Sequence, residues 1–142
     1  MKYLQEVVAS TRNTPDFDVV GHIGYLRRYS PYPYYSLAYA HHDYTDLIDE
    51  ALRMLVNQGK GLDVNTSGYR TVMGRKIGSP IPGYDIIKRY VDLGGEILVL
   101  GSDAHNTQTI ADGFDEDCDS LRSIGIHYLT YYQKRMPLQY KI

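Results

Sequence analysis

The sequence predicts an α/β domain with a parallel sheet, and three observations carry that reading. Short apolar runs closed by glycine or a polar residue recur along the chain, as buried strands do. Segments whose apolar residues follow the helical period separate them. No strand pair is joined by a hairpin signal, so the connections should be right-handed crossovers.

The elements follow in order. Lys2 to Thr11 has Leu4, Val7 and Val8 on one helical face and ends at Asn13-Thr14-Pro15. Asp16 to Gly21 is a short strand that delivers His22 at its end. Residues 24–45 form a loop with Pro31, Pro33 and seven tyrosines, and a loop this long in a compact domain is functional or an interface. Asp46 reads as the N-cap of a helix through Gln58, with Leu47, Ile48, Ala51, Leu52, Leu55 and Val56 inward and Gly59 as the stop. Leu62 to Asn65 is the second strand, followed by the polar turn Thr66-Ser67-Gly68-Tyr69-Arg70 and a long loop, Thr71 to Pro82.

Tyr84 to Leu93 is a helix with Ile86, Ile87, Tyr90 and Val91 inward, stopped by Gly94-Gly95. Ile97 to Leu100 is the central strand, closed by Gly101-Ser102-Asp103-Ala104-His105. Asp115 to Ile124 reads as a helix, His127 to Tyr132 as a last strand, and 134–142 as a surface extension. Four strands are too few for a closed (β/α) barrel, which needs about twice the chain. The sheet is therefore open or part of a larger barrel.

The 142 residues suit one domain, 1–142, and are too few for two ordinary ones. A formal net charge of -2 argues against a surface for long nucleic acid. No apolar run is long enough to span a membrane, so no membrane role is expected. The single cysteine, Cys118, forms no internal disulfide and fits a reducing cytoplasm. Its acidic neighbours should raise the thiol pKa and make it a poor nucleophile.

Three strand ends carry polar groups: His22, then Asn65 with Arg70 beyond it, then Asp103 with His105. Ends on one edge of a parallel sheet converge, and that edge is where chemistry collects in α/β folds. His22, Asp103 and His105 would supply three metal ligands suited to Zn, Mn or Fe. Arg70, with Arg27 or Arg28, would supply planar forks matched to a phosphate. Taken singly, each has a bland alternative: Asp103 as a helix cap, His22 as a core histidine, the arginines as solvated surface. His41-His42-Asp43 fits solvent or a substrate loop better than ligation, and His127 starts its strand on the wrong edge.

Phe17-Asp18-Val19-Val20-Gly21-His22-Ile23, Leu62 through Arg70, and Leu100 through His105 occur in that order, with Tyr131-Tyr132-Gln133-Lys134-Arg135-Met136-Pro137 near the end. This combination resembles the histidinol-phosphatase branch of the PHP (polymerase and histidinol phosphatase) superfamily, over the C-terminal half of its domain only. The resemblance implies a parallel-stranded half of a distorted (β/α)7 TIM-like barrel. It also implies metal-dependent hydrolysis of a phosphate monoester, in this branch L-histidinol phosphate in histidine biosynthesis. By motif, His22, Asp103 and His105 match metal ligands, with Asp103 the catalytic, metal-bridging carboxylate. Arg70 and Arg28 match residues holding substrate phosphate. Phosphate monoesters hydrolyse so slowly unaided, with enzymic enhancements up to ~10²¹, that a cluster of metals makes chemical sense.

Two departures stand out. The family's opening His-x-His motif is absent, since histidines fall at 22, 41, 42, 105 and 127, and its middle glutamate and histidine ligands are absent too. Gly24 stands where the family usually has an acidic residue. The full metal cluster is therefore not expected in this chain, and little or no activity is expected of it alone. Its expected partners are a small phosphorylated metabolite and either further copies of itself or the missing N-terminal half. The alternatives are a PHP phosphoesterase of another substrate and a non-catalytic remnant acting as an interaction module.

Overall fold

A computed structural model describes residues 2–29 and 42–142. Helix α1 (Lys2–Asn13) leads into strand β1 (Val19–Val20), and a single 3-10 turn follows at Tyr25–Arg28. Helix α2 (His42–Asn57), strand β2 (Gly61–Asn65), a 3-10 turn at Thr66–Tyr69, helix α3 (Tyr84–Asp92) and strand β3 (Leu98–Gly101) come next. Helix α4 (Phe114–Ser123) and strands β4 (Tyr128–Gln133) and β5 (Met136–Lys141) complete the chain.

The parallel sheet has the order β1-β2-β3, with Leu62 opposite Val20 on one side and Leu98 on the other. Leu62 and Val64 alternate with Asp63 and Asn65 along β2, so one face of the sheet is apolar and the other carries carboxylate and amide. Helices cover the apolar face. Ile48, Leu52 and Leu55 of α2 and Ile86, Ile87 and Tyr90 of α3 are buried with Leu62, Val64 and Leu98 in a single core cluster. Arg89 of α3 donates two bonds to Asp49 of α2, at 2.9 and 2.6 Å, which locks the two crossover helices together. Tyr90 donates to the Lys60 carbonyl at 2.8 Å and so fixes α3 against the start of β2.

Three expectations need correcting. The last predicted strand, β4, does not join the parallel sheet but belongs to a separate two-stranded antiparallel one. Helix α2 begins at His42 rather than after Asp46, so Asp46 is a helical residue and not an N-cap. His41 lies outside the described residues, as does most of the tyrosine-rich stretch. The tail is not a loose extension: β5 pairs antiparallel with β4, Gln133 opposite Met136, as a two-residue hairpin. Lys134 and Arg135 both take positive φ, 51° and 63°, as a type I′ turn requires. Asn-Gly usually marks such a turn, and Lys-Arg gave no such signal.

Tertiary bonds hold the hairpin in place. Arg135 donates to both carboxylate oxygens of Asp18, at 2.9 and 3.1 Å, and pairs with Asp16 at 2.8 Å. Tyr132 donates to the Asp18 carbonyl at 3.3 Å, and Gln139 to the Glu96 carbonyl at 3.1 Å. The hairpin therefore meets the amino ends of the parallel strands and leaves their carboxyl ends clear.

Candidate phosphate and metal site

The parallel order puts the carboxyl ends of β1, β2 and β3 on one edge, and the polar strand ends meet there. His22 follows β1 with φ 60°, and Asp103 follows β3 with φ 49°. Both are non-glycine residues in the left-handed region, a strained state that surrounding contacts must hold. Strands β1 and β3 flank β2, roughly 10 Å apart at ordinary sheet spacing. These two turns bring His22 Nε2 to 3.8 Å from Asp103 Oδ1, across the end of β2. Tyr3 of α1 braces the first turn, donating to the His22 carbonyl and accepting from the Gly24 N–H, each at 3.1 Å.

Asp63 lies beneath this pair, and sequence reading overlooked it. Its carboxylate accepts from Asn65 Nδ2 at 3.3 Å. A Cβ on Gly101 would come within 2.5 Å of Asp63 Oδ1, so the glycine closing β3 is the space into which this carboxylate fits. Burial pushes the Asp63 pKa above its ordinary value, against the lowering effect of the Asn65 bond and nearby His22. The signal available in the sequence was a carboxylate alternating with leucine and valine in a buried strand.

Both candidate arginines reach the same edge, held by backbone carbonyls. Arg28 is only 3% exposed; its Nη2 donates to Ser67 O at 2.7 Å and Ser67 Oγ at 2.9 Å, and its Nη1 to Arg70 O at 3.4 Å. Arg70 Nη2 donates to the carbonyls of Ser102 and Asp103, at 2.6 and 3.0 Å. Arg28 Nε is buried with no hydrogen-bond partner among the described residues, while Arg70 Nη1, also buried, pairs with Asp112 Oδ2 at 3.6 Å. A cavity of about 270 Å³ is lined by both arginines together with Tyr25, Ser67, Asp103 and His105. Arg27 is not among its lining residues.

His105 stands apart from the other two predicted ligands. It is exposed, and its Nδ1 is 2.9 Å from the Asp103 carbonyl rather than from a side chain. Among the described residues, no group of three or more His, Cys, Asp or Glu side chains is arranged to hold a metal ion. The donor chemistry fits an ion in part. Metal bonds of about 2 Å at a tetrahedral angle place two ligand atoms roughly 3.3 Å apart, close to the His22–Asp103 separation. Asp103 does not cap a helix; Asn106 caps the 3-10 turn at Thr107–Thr109, accepting from the Thr109 N–H at 3.1 Å.

A second buried carboxylate supports the turn that carries Arg70. Asp117 of α4 is 0% exposed, and its Oδ1 accepts from Tyr69 at 2.9 Å and from Tyr84 at 2.6 Å. Its Oδ2 has no partner among the described residues, and burial raises its pKa. Cys118 beside it also has a raised pKa, with burial the first cause and the acidic neighbours a lesser one. His127 is exposed at the start of β4, next to the hairpin.

The fold, a parallel sheet with helices over one face, is similar to that of solved phosphatases. Over 96% of its length the chain superposes, with a TM-score of 0.68 at 23% identity, on a histidinol phosphate phosphatase from Lactococcus lactis complexed with zinc, L-histidinol and phosphate. Over 81% of its length it superposes, with a TM-score of 0.63 at 19% identity, on a putative histidinol phosphatase from Listeria monocytogenes, 43% of which it covers. No protein-family model matches the chain. In sequence it is 33% identical over 120 residues to a probable histidinol-phosphatase of Thermotoga maritima, covering 84% of this chain and 46% of that protein. It is 30% identical over 134 residues to that of Clostridium acetobutylicum, covering 94% and 49%.

The chain is a homologue of the histidinol-phosphatases along most of its length. It spans about half the length of the curated relatives it matches.

Proposed function

We propose that the chain forms part of the active site of a metal-dependent phosphate-monoester hydrolase acting on L-histidinol phosphate. The observation that carries this reading is the 270 Å³ cavity lined by two anchored arginines, Arg28 and Arg70, together with Asp103 and His105. Donors of this kind suit the equatorial oxygens of a phosphoryl group, where charge must be neutralised during transfer. The homologues carry the same activity in their names, and the Lactococcus lactis structure binds zinc, L-histidinol and phosphate.

The roles divide by chemistry. His22 and Asp103 would hold a divalent ion, and His105, on the same loop as Asp103, would join them. A bound divalent ion polarises phosphoryl oxygens and acidifies water. Arg70 and Arg28 would orient the phosphate, with their other nitrogens already tied to Ser67, Arg70, Ser102 and Asp103 carbonyls, so little ordering is left to binding. Zn, Mn and Fe all suit imidazole and carboxylate.

Two side-chain ligands at 3.8 Å make a weak site, and the part of the relatives that this chain does not match would supply more. The chain alone should therefore show little or no hydrolysis of L-histidinol phosphate. The test is metal content per chain and phosphate release on the purified protein with added Zn or Mn. Substoichiometric metal and no turnover are expected; turnover by a purified monomer would overturn the expectation. The incomplete ligand set also favours a second reading, a non-catalytic interaction module. A stable complex that never binds metal or phosphate would support that one instead.

A further inference from the structure

Asp112 lies beside the arginine fork that lines the cavity. Its Oδ2 is 3.6 Å from Arg70 Nη1, an ion pair too long for a hydrogen bond. The two ends of the fork are treated differently. Nη2 is committed to the Ser102 and Asp103 carbonyls at 2.6 and 3.0 Å, whereas Nη1 is buried with no hydrogen-bond partner among the described residues. A buried N–H of a charged group without an acceptor is costly, so Nη1 gains from any oxyanion that reaches ordinary bonding distance. The segment that carries Asp112 is firmly placed. Its carbonyl accepts from Thr66 Oγ1 at 2.5 Å, its N–H donates to the Thr109 carbonyl at 3.3 Å, and the Ala111 N–H donates to Ser102 Oγ at 3.2 Å. Ala111 takes φ 57°, a left-handed state that a non-glycine residue enters only where its surroundings impose it. The Asp112 side chain, by contrast, is half-exposed and has solvent to turn into.

We infer that Asp112 is the resident counter-ion of the phosphate site, a carboxylate that holds Arg70 until a phosphoryl group takes its place. The inference rests on the reading of Arg70 as a phosphate-binding residue. A phosphate oxygen at about 2.8 Å makes the charge-assisted bond to Nη1 that Asp112, at 3.6 Å, does not. Two anions crowded on one guanidinium nitrogen repel each other, so phosphate enters as the carboxylate swings out. When phosphate leaves, Asp112 returns and the guanidinium regains its counter-charge. Asp112 therefore competes with phosphate and lowers the net affinity of the site for it, which favours release of a phosphate product over its retention. Asn106 and Thr109, from the same loop, line the cavity, so the competitor approaches from the cavity's own wall.

The test is a titration of the 142-residue chain with inorganic phosphate at constant ionic strength and neutral pH, followed by the amide NMR shifts of residues 66–72. Asp112→Asn keeps the shape and removes the charge, and Asp112→Ala removes both. Each should bind phosphate more tightly than the unaltered chain, by about threefold or more. Asp119→Asn is the control for charge alone, since it neutralises an exposed carboxylate on α4, and it should leave the affinity unchanged. Equal or weaker binding by both Asp112 variants would overturn the inference and leave the phosphate site standing, with Asp112 then a residue that positions Arg70. Equal tightening by Asp119→Asn would also overturn it, because net charge would then suffice. No phosphate binding by any of the four proteins would remove the functional reading, and this inference with it.

Discussion

Arg28 and Arg70 show how much a side chain's partners add to its identity. Each was read as a phosphate fork, and each is also a clamp on the backbone. Arg28 holds the Thr66–Tyr69 turn, and Arg70 holds the end of β3. Arg28→Met should cost about 2 kcal/mol in a denaturant melt, because it leaves the buried Ser67 carbonyl without its donor. Arg70→Lys keeps the charge but cannot bridge two carbonyls and a phosphate at once. It should lower inorganic phosphate affinity in the completed protein by about tenfold, roughly 1.4 kcal/mol; unchanged affinity would remove Arg70 from the phosphate site. Asp117 offers a pH signature. Its folded pKa is raised above 3.8, so the folded state holds the proton more tightly than the unfolded chain. Stability from this group is full below the unfolded value and is lost as pH rises through the folded one. Asp117→Asn, which keeps an acceptor for Tyr69 and Tyr84, should therefore flatten the stability profile above about pH 4.

At the scale of elements, the parallel sheet was legible because buried strands advertise themselves as apolar runs between glycines. The hairpin was not, because its turn uses Lys134 and Arg135 and relies on long-range bonds to Asp16 and Asp18. The Arg135 guanidinium holds the Asp18 carboxyl below its usual range, so this contribution is present above the unfolded pKa and fades as pH falls through the folded one. Arg135→Ala should accordingly speed amide exchange in β5 at neutral pH, and the difference should vanish in acid. The turn after β2 makes a stricter demand. A Cβ at Gly68 would sit 2.0 Å from the Ser79 carbonyl oxygen, a backbone atom that cannot swing aside. Gly68→Ala should cost about 3 kcal/mol by thermal or chemical melt, since overpacking against fixed backbone forces the loop to move.

For the whole molecule, the central fact is a sheet with one covered face, one polar edge and one open side. No helix among the described residues is long and apolar enough to cross a membrane. On the proposed function, two side-chain ligands make a weak site. Zinc should then bind this 142-residue chain at least tenfold more weakly, in a competition titration, than it binds the full-length Thermotoga maritima relative; equal affinities would overturn that reading.

The sequence by itself determined the strand-and-helix order of the parallel core, the residues standing at the three strand ends, and the kinship those residues imply. These are local properties: periodicity, turn residues and motif order are written in neighbouring positions. Tertiary structure alone decided that His22 and Asp103 face each other while His105 turns away. It also showed that Asp63 fills the space left by Gly101, that Asp117 braces the Arg70 turn, and that the tail folds back as a hairpin. Each of these depends on contacts between residues tens of positions apart, and no local pattern encodes which distant group a side chain will meet.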